Sequence, residues 1–198
     1  MKTSAYAVAS TPMEVAMKRI CLPLLLLLAL LLSGCGSAPG EKQFRAFSEE
    51  LSQRDQLDFR ARLRAEYPDK SVSFLLDYAM KDGEQTVTVA EPENIAGIRA
   101  RLLPGETRLE YQDLILDTGD LDKAGLTPMS ALPTLVEALR RGHLDSLWQE
   151  DGETVVQLVL TDELSARVRF RPEGMTPTHA ELICGDTVTV YCEINDWR

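Results

Sequence analysis

The sequence has little of the material from which most catalytic sites are built. Histidine occurs only at His143 and His179, and no G-x-S-x-G elbow surrounds any serine. A catalytic dyad or triad needs a base such as histidine beside a nucleophile, together with an orienting acid. We therefore expect a non-catalytic protein that uses no cofactor.

Cysteine is also scarce. Of four cysteines, Cys21 and Cys35 lie near the N-terminus, which leaves Cys184 and Cys192 in the body of the chain. These two and His179 lack the close C-x-x-C spacing and the fourth ligand of a zinc site. The sequence predicts core thiols here and no metal site.

The last predicted hairpin carries both of these thiols. Apolar alternation across a three-residue turn at 185–187 aligns Cys184 with Val188 and Ala180 with Cys192. Four ladder positions then separate the thiols, about 13 Å at ~3.3 Å each, whereas a disulfide needs Cα atoms within ~7 Å. We expect both cysteines to be reduced.

Positive charge is in the minority, with 21 Lys and Arg against 31 Asp and Glu and a net charge of −10. Such an acidic chain argues against nucleic acid as a partner and against electrostatic attachment to anionic lipid heads. Acidic runs at 91–93, 117–122 and 150–153 are compatible with Ca²⁺ binding or with plain turns and solvated edges.

The longest apolar run, at 20–32, is too short to cross a membrane. It follows Lys18 and Arg19 and has about 13 residues, so at ~1.5 Å each it reaches only ~20 Å of the ~30 Å required. A short cationic start followed by such a run is typical of a signal peptide. We predict a signal peptide over 1–34, with Met17 as the translation start.

The signal peptide ends in small residues and a cysteine. The letters LSGC at 32–35 resemble the lipobox of bacterial lipoproteins, in which cleavage precedes the cysteine and the cysteine is diacylated. Two acyl chains on one residue give stable anchoring. The alternative is an ordinary cleaved signal and an incidental Cys35. The lipobox predicts a tether over 35–40, a single domain over 41–198, and an extracytoplasmic location on the cell membrane or outer membrane.

Beyond the tether, the apolar pattern changes from a helical period to a strand period. Helical spacing predicts a helix over 41–54, and strict alternation predicts a strand over 57–67. A four-residue loop at 68–71 would pair Tyr67 with Val72 and Leu63 with Leu76 in the next strand. Further alternation continues the antiparallel sheet.

Later segments repeat the order of a helix followed by strands. A two-residue turn at 104–105 would pair Ala100 with Leu109, and Thr127 and Pro128 have the character of a helix start. The second helix should end at Gly142. The buried stripe predicted for it is Leu132, Leu135, Val136 and Leu139. The whole chain predicts a mainly β (α+β) domain of about ten strands and two helices.

This layout resembles the LolA and LolB family of lipoprotein-sorting proteins. The resemblance lies in VAEPENIAGI at 89–98, in LEYQD at 109–113, and in the TP.SAL pattern at 127–132 that opens the second helix. It implies a curved antiparallel half-barrel whose concave apolar face, partly covered by the helices, holds acyl chains or a partner segment. Cys35 makes the chain more similar to LolB or to lipid-anchored relatives in Gram-positive bacteria, which include a clostridial spore-germination lipoprotein.

Two functions remain open. The first is binding of a lipid, acyl chain, or lipidated or apolar peptide between helices and sheet; the second is docking of an envelope protein such as a cell-wall or spore-germination enzyme. An open cavity of several hundred Å³ would favour the first, and a filled core with an exposed apolar patch the second. The candidate cavity walls, which could equally be core, are Phe59, Leu63, Phe74, Leu76 and Tyr78.

Overall fold

The computed structural model describes residues 39–103, 106–112, 114–119 and 126–198, with side chains omitted at 39 and 116–119. The predicted signal peptide, the lipidation site Cys35 and residues 35–38 of the tether lie outside the described residues. No described helix is long and apolar enough to cross a membrane. Every described core residue lies within the compact unit Pro39–Arg198, so we expect the segment 36–198 to fold by itself.

Two helices and eleven strands make up the described chain. The helices are α1 (Pro39–Gln53) and α2 (Pro128–Arg141), and a short 3-10 turn covers Glu93–Ile95. The strands are β1 (Gln56–Tyr67), β2 (Lys70–Lys81), β3 (Glu84–Glu91), β4 (Arg99–Leu103), β5 (Glu106–Tyr111), β6 (Leu114–Gly119), β7 (His143–Glu150), β8 (Glu153–Val159), β9 (Leu164–Arg171), β10 (Thr176–Cys184) and β11 (Thr187–Asn195).

All eleven strands belong to one antiparallel sheet, in the order β6-β5-β4-β3-β2-β1-β11-β10-β9-β8-β7. The first and last strands meet at its centre, and β6 and β7 form its two edges within the described chain. The sheet is therefore not closed into a barrel. The predicted mainly β fold, an open antiparallel half-barrel with two helices, is confirmed.

The helices fill much of the concave face. Phe44 and Leu51 of α1 are buried, and the whole predicted stripe of α2 is at most 1% exposed. The ring of Phe170 on β9 lies 5.9 Å from that of Phe44 and 5.3 Å from that of Phe47. Amphipathic helices thus bury their apolar stripes against the alternating apolar residues of the strands.

Local capping fixes both ends of α2. Thr127 Oγ1 accepts a hydrogen bond from the Ser130 N–H at 3.1 Å, and Ser130 Oγ accepts one from the Thr127 N–H at 2.9 Å. This reciprocal pair satisfies two amide groups that would otherwise lack partners. The predicted end at Gly142 is confirmed. The helix begins at Pro128 and includes Pro133 in its interior.

The β1–β2 register differs from the predicted one by two residues. Tyr67 pairs with Lys70, and Leu63 pairs with Phe74, so a two-residue turn at 68–69 replaces the predicted four-residue loop. A shift of two keeps every side chain on its original face. Hydrophobic alternation alone therefore cannot distinguish the two registers.

Other predicted registers are confirmed. Ala100 lies opposite Leu109, and Ala180 lies opposite Cys192. At the last hairpin the predicted pairing of Cys184 with Val188 is wrong, because an irregularity after Leu182 pairs Cys184 with Thr187. A β-bulge inserts a residue in one strand and moves every later pair by one.

Candidate functional site

A cavity of about 1010 Å³ lies beside α2. The helix contributes one wall through side chains that flank its buried stripe, at Ser130, Pro133, Thr134 and Glu137. The β2–β3 turn and the facing ends of β4 and β5 form a second wall, and the β8–β9 and β10–β11 turns form a third. The volume meets the criterion that favours a ligand.

The curvature of the sheet explains how these walls meet. The β2–β3 and β4–β5 turns lie at one end of the strands, whereas the β8–β9 and β10–β11 turns lie at the other end. Six steps separate β4 from β9 in the sheet order, and a twist of about 20–25° per strand accumulates to roughly 120–150°. Diagonally opposite corners of the sheet thus approach each other around α2.

Most of the large side chains that line the cavity are apolar, and its charged side chains are acidic. Its large apolar residues are Leu102, Leu103, Leu126, Pro133, Leu160 and Leu164. Hydroxyl and amide groups of Thr134, Thr161 and Gln85 can hydrogen-bond a polar group. Within the described part of the chain, the charged lining residues are glutamates, which makes the cavity suitable for a largely apolar ligand with one polar end.

Four of the five predicted cavity residues lie in the core. Phe59, Leu63, Leu76 and Tyr78 are at most 3% exposed, and Phe74 packs against the same core. None of the five lines the cavity described above. Their contact with a ligand stays a prediction.

Tyr78 is nevertheless connected to the cavity. Its hydroxyl donates a hydrogen bond to Gln85 Oε1 at 2.9 Å, and Gln85 lines the cavity. Burial raises the pKa of Tyr78, while the nearby Arg140 lowers it to a smaller extent. The phenol therefore stays protonated near neutral pH and holds the Gln85 side chain in place.

The lining residues could not be recognised from the apolar pattern of the sequence, because they lie beside turns. Leu103, Leu160 and Leu164 occupy the ends of strands or the turn itself, where the alternating pattern stops. A large apolar residue beside a turn would normally be exposed to water. Three such residues are the signal that could have indicated an apolar cavity at the ends of the strands.

The two remaining cysteines have different environments. Cys184 lines the cavity and is half-buried, whereas Cys192 lies in the core. Both are free thiols. Burial raises the pKa of Cys192 to about 12. Among the described residues, no three His, Cys, Asp or Glu side chains gather closely enough to hold a metal ion.

We expect a maleimide at pH 8 to modify Cys184 and to leave Cys192 unmodified in the folded segment 36–198. The thiolate is the reactive form, and a pKa of about 12 leaves only ~10⁻⁴ of the Cys192 thiols ionised at that pH. Intact mass spectrometry should show one adduct. Cys184→Ser should abolish it and the matched Cys192→Ser should retain it; equal labelling of both thiols would contradict the described burial.

Comparison with known proteins finds only structures of low sequence identity. No protein-family model matches the sequence, and no curated protein matches it. An outer membrane lipoprotein-sorting protein domain from Vibrio parahaemolyticus is 10% identical, with 79% of this chain and 90% of that chain covered at a TM-score of 0.48. A LolA superfamily protein from Nitrosomonas europaea is 12% identical, with coverages of 82% and 94% and a TM-score of 0.43.

Lipoprotein LppX of Mycobacterium tuberculosis is 10% identical, with 81% of this chain and 96% of that chain covered at a TM-score of 0.42. Identities of 12% or less and TM-scores below 0.5 assign neither a ligand nor a partner to this chain. A ligand for this chain therefore has to be inferred from the chemistry of its own cavity.

Proposed function

We propose that the protein is an exported, membrane-anchored binding protein that holds a lipid, an acyl chain, or a lipidated or apolar peptide in the cavity beside α2. The observation that carries this proposal is the cavity itself. Its volume lies at the upper end of the ~300–1,000 Å³ typical of small-molecule sites, and leucines form most of its large side chains. Burial of apolar surface is the interaction that such a lining offers.

The proposed anchor keeps the domain that contains this cavity close to the membrane. Diacylation of Cys35 would hold the chain at the membrane surface. Four residue steps join Cys35 to Pro39, the first residue of α1, and an extended chain covers at most about 14 Å in that distance at ~3.5 Å per residue. A membrane lipid or the acyl group of a neighbouring lipoprotein would then be the nearest source of ligand.

Filling the cavity should weaken this binding. Thr134 of α2 lines the cavity and is half-buried, so a tryptophan at this position would occupy the volume that a ligand needs. We expect Thr134→Trp to weaken binding of N-phenyl-1-naphthylamine, a neutral fluorescent apolar probe, at least about tenfold, which corresponds to ~1.4 kcal/mol. Fluorescence titration of the segment 36–198 measures this change.

A matched variant separates cavity filling from a general effect of tryptophan. Thr88 lies on β3 between the buried Val87 and Val89 and therefore points to the other face of the sheet. Thr88→Trp should bind the probe as the unmodified segment does. Equal binding by all three proteins, or no binding by the unmodified segment, would overturn the proposal.

A second candidate function, docking of an envelope protein, is favoured by one surface feature. Leu114 and Ile115 on the edge strand β6 are 57% and 63% exposed, and the nearby Tyr111 on β5 is 38% exposed. Tyr111 and Leu114 pair across the two strands and lie on one face, with Ile115 at the same edge of the sheet, and exposed apolar patches often mark protein interaction sites. If the segment binds no apolar probe, this patch is where a partner should be sought.

A further inference from the structure

We infer that the ligand carries a cationic head group, so that the cavity selects an amphiphile with an apolar chain and a protonated amine. This inference rests on the proposed function and names the chemical class of its ligand. It follows from the charges around the cavity: of the lining residues that the structure describes, three are glutamates and none is Lys, Arg or His.

The three carboxylates come from three separate walls. Glu106 begins β5, Glu137 lies on α2, and Glu163 lies in the β8–β9 turn. Each wall of the cavity therefore contributes one glutamate. Because the three residues are distant in sequence, the arrangement exists only in the folded chain.

The arginines that pair with these glutamates lie outside the lining. Arg108 Nε lies 2.6 Å from Glu106 Oε1, and Arg141 Nη1 lies 3.1 Å from Glu137 Oε1. Both guanidinium groups are well exposed to solvent, where ion pairs are weak and a bound amine can compete for the carboxylate. Glu163 forms no ion pair with any described residue.

An anionic head would meet an unfavourable environment in this cavity. A carboxylate or phosphate leaving water needs a positive partner or several hydrogen-bond donors, and the charged lining residues repel it. An ammonium group, by contrast, can donate charge-assisted hydrogen bonds to the glutamates. The net charge of −10 favours the approach of the same kind of ligand.

Matched twelve-carbon probes test the inference at pH 7, below their micelle concentrations. The probes are dodecylamine, which is protonated, dodecanoate, which is ionised, and the neutral monododecanoyl glycerol. Each competes with N-phenyl-1-naphthylamine for the segment 36–198. We expect dodecylamine to displace the fluorophore at a concentration roughly tenfold lower than dodecanoate in 20 mM salt, and the ratio to shrink in 500 mM salt because ions screen the carboxylates.

Two triple variants with the same net charge identify the source of the preference. Glu106→Gln, Glu137→Gln and Glu163→Gln together should abolish the preference for the amine. Asp145→Asn, Glu173→Gln and Glu193→Gln together remove three exposed acids elsewhere and should retain it. If both triple variants change the preference equally, net charge causes it and the lining does not.

The remaining outcomes separate the inference from the proposed function. Equal displacement by dodecylamine and dodecanoate, or tightest binding of the neutral glyceride, overturns the cationic head group and leaves apolar binding intact. If no probe displaces the fluorophore and the fluorophore itself does not bind, the proposed function fails as well.

Discussion

Replacing Cys35 with serine should abolish acylation of the protein and with it the membrane attachment. Each buried methylene of an acyl chain contributes ~0.8 kcal/mol, so two chains hold a protein stably whereas one chain gives only marginal binding. In a bacterial host fed an alkyne fatty acid, the full chain should become labelled. The Cys35→Ser chain should carry no label at all.

A second cysteine near the N-terminus provides the control. Cys21 lies inside the apolar run at 20–32, which the predicted cleavage removes. Cys21→Ser should be labelled and should partition into detergent like the unmodified chain. Labelling of the Cys35→Ser chain would show that the cysteine is incidental. The fatty-acid label is the deciding measurement, because an uncleaved signal could retain the chain at a membrane without acylation.

Much of the fold could be predicted from periodicity. The stripe of α2 and its ends at Thr127 and Gly142 follow from helical spacing and capping chemistry, and both agree with the structure. Strict alternation over 57–67 predicts β1, in which every second residue from Leu57 to Ala65 is buried. The β1–β2 register could not be deduced in this way, because registers that differ by two residues bury the same side chains.

The sequence predicts that a cavity exists but does not identify the residues that line it. The sequence predicts a space between helices and sheet, with walls that include Phe59 and Tyr78. In the structure both of these residues lie in the core. The lining comes instead from turns such as Gly83 and Gly185, at diagonal corners of the sheet. Their proximity depends on twist accumulated over many strands, which no local pattern of residues reports.

Hydrogen bonds join the two helices on the concave face. Arg140 near the end of α2 donates a hydrogen bond through Nη2 to the carbonyl of Ser52 in α1 at 2.8 Å, and Ser48 Oγ donates one to the Arg140 carbonyl at 3.3 Å. Since α2 is one wall of the cavity, a change that loosens α1 should also disturb the site. Phe170, which both phenylalanines of α1 contact, is the residue to test.

Truncating Phe170 should cause the largest loss of stability of any variant considered. Its side chain is fully buried and its ring meets those of Phe44 and Phe47 edge-on, so Phe170→Ala removes apolar burial and leaves a void between α1 and the sheet. Buried Phe→Ala changes cost about 3–5 kcal/mol. We expect the free energy of unfolding, measured by urea denaturation of the segment 36–198, to fall by that amount.

Tyr111→Ala is the matched control for this loss. The side chain of Tyr111 is 38% exposed on β5, so its truncation opens no closed void and should cost under about 1 kcal/mol. Phe170→Leu should recover part of the stability because it refills most of the space. If Phe170→Ala and Tyr111→Ala unfold at the same urea concentration, the packing of α1 on β9 contributes little, and α2 must hold the cavity without it.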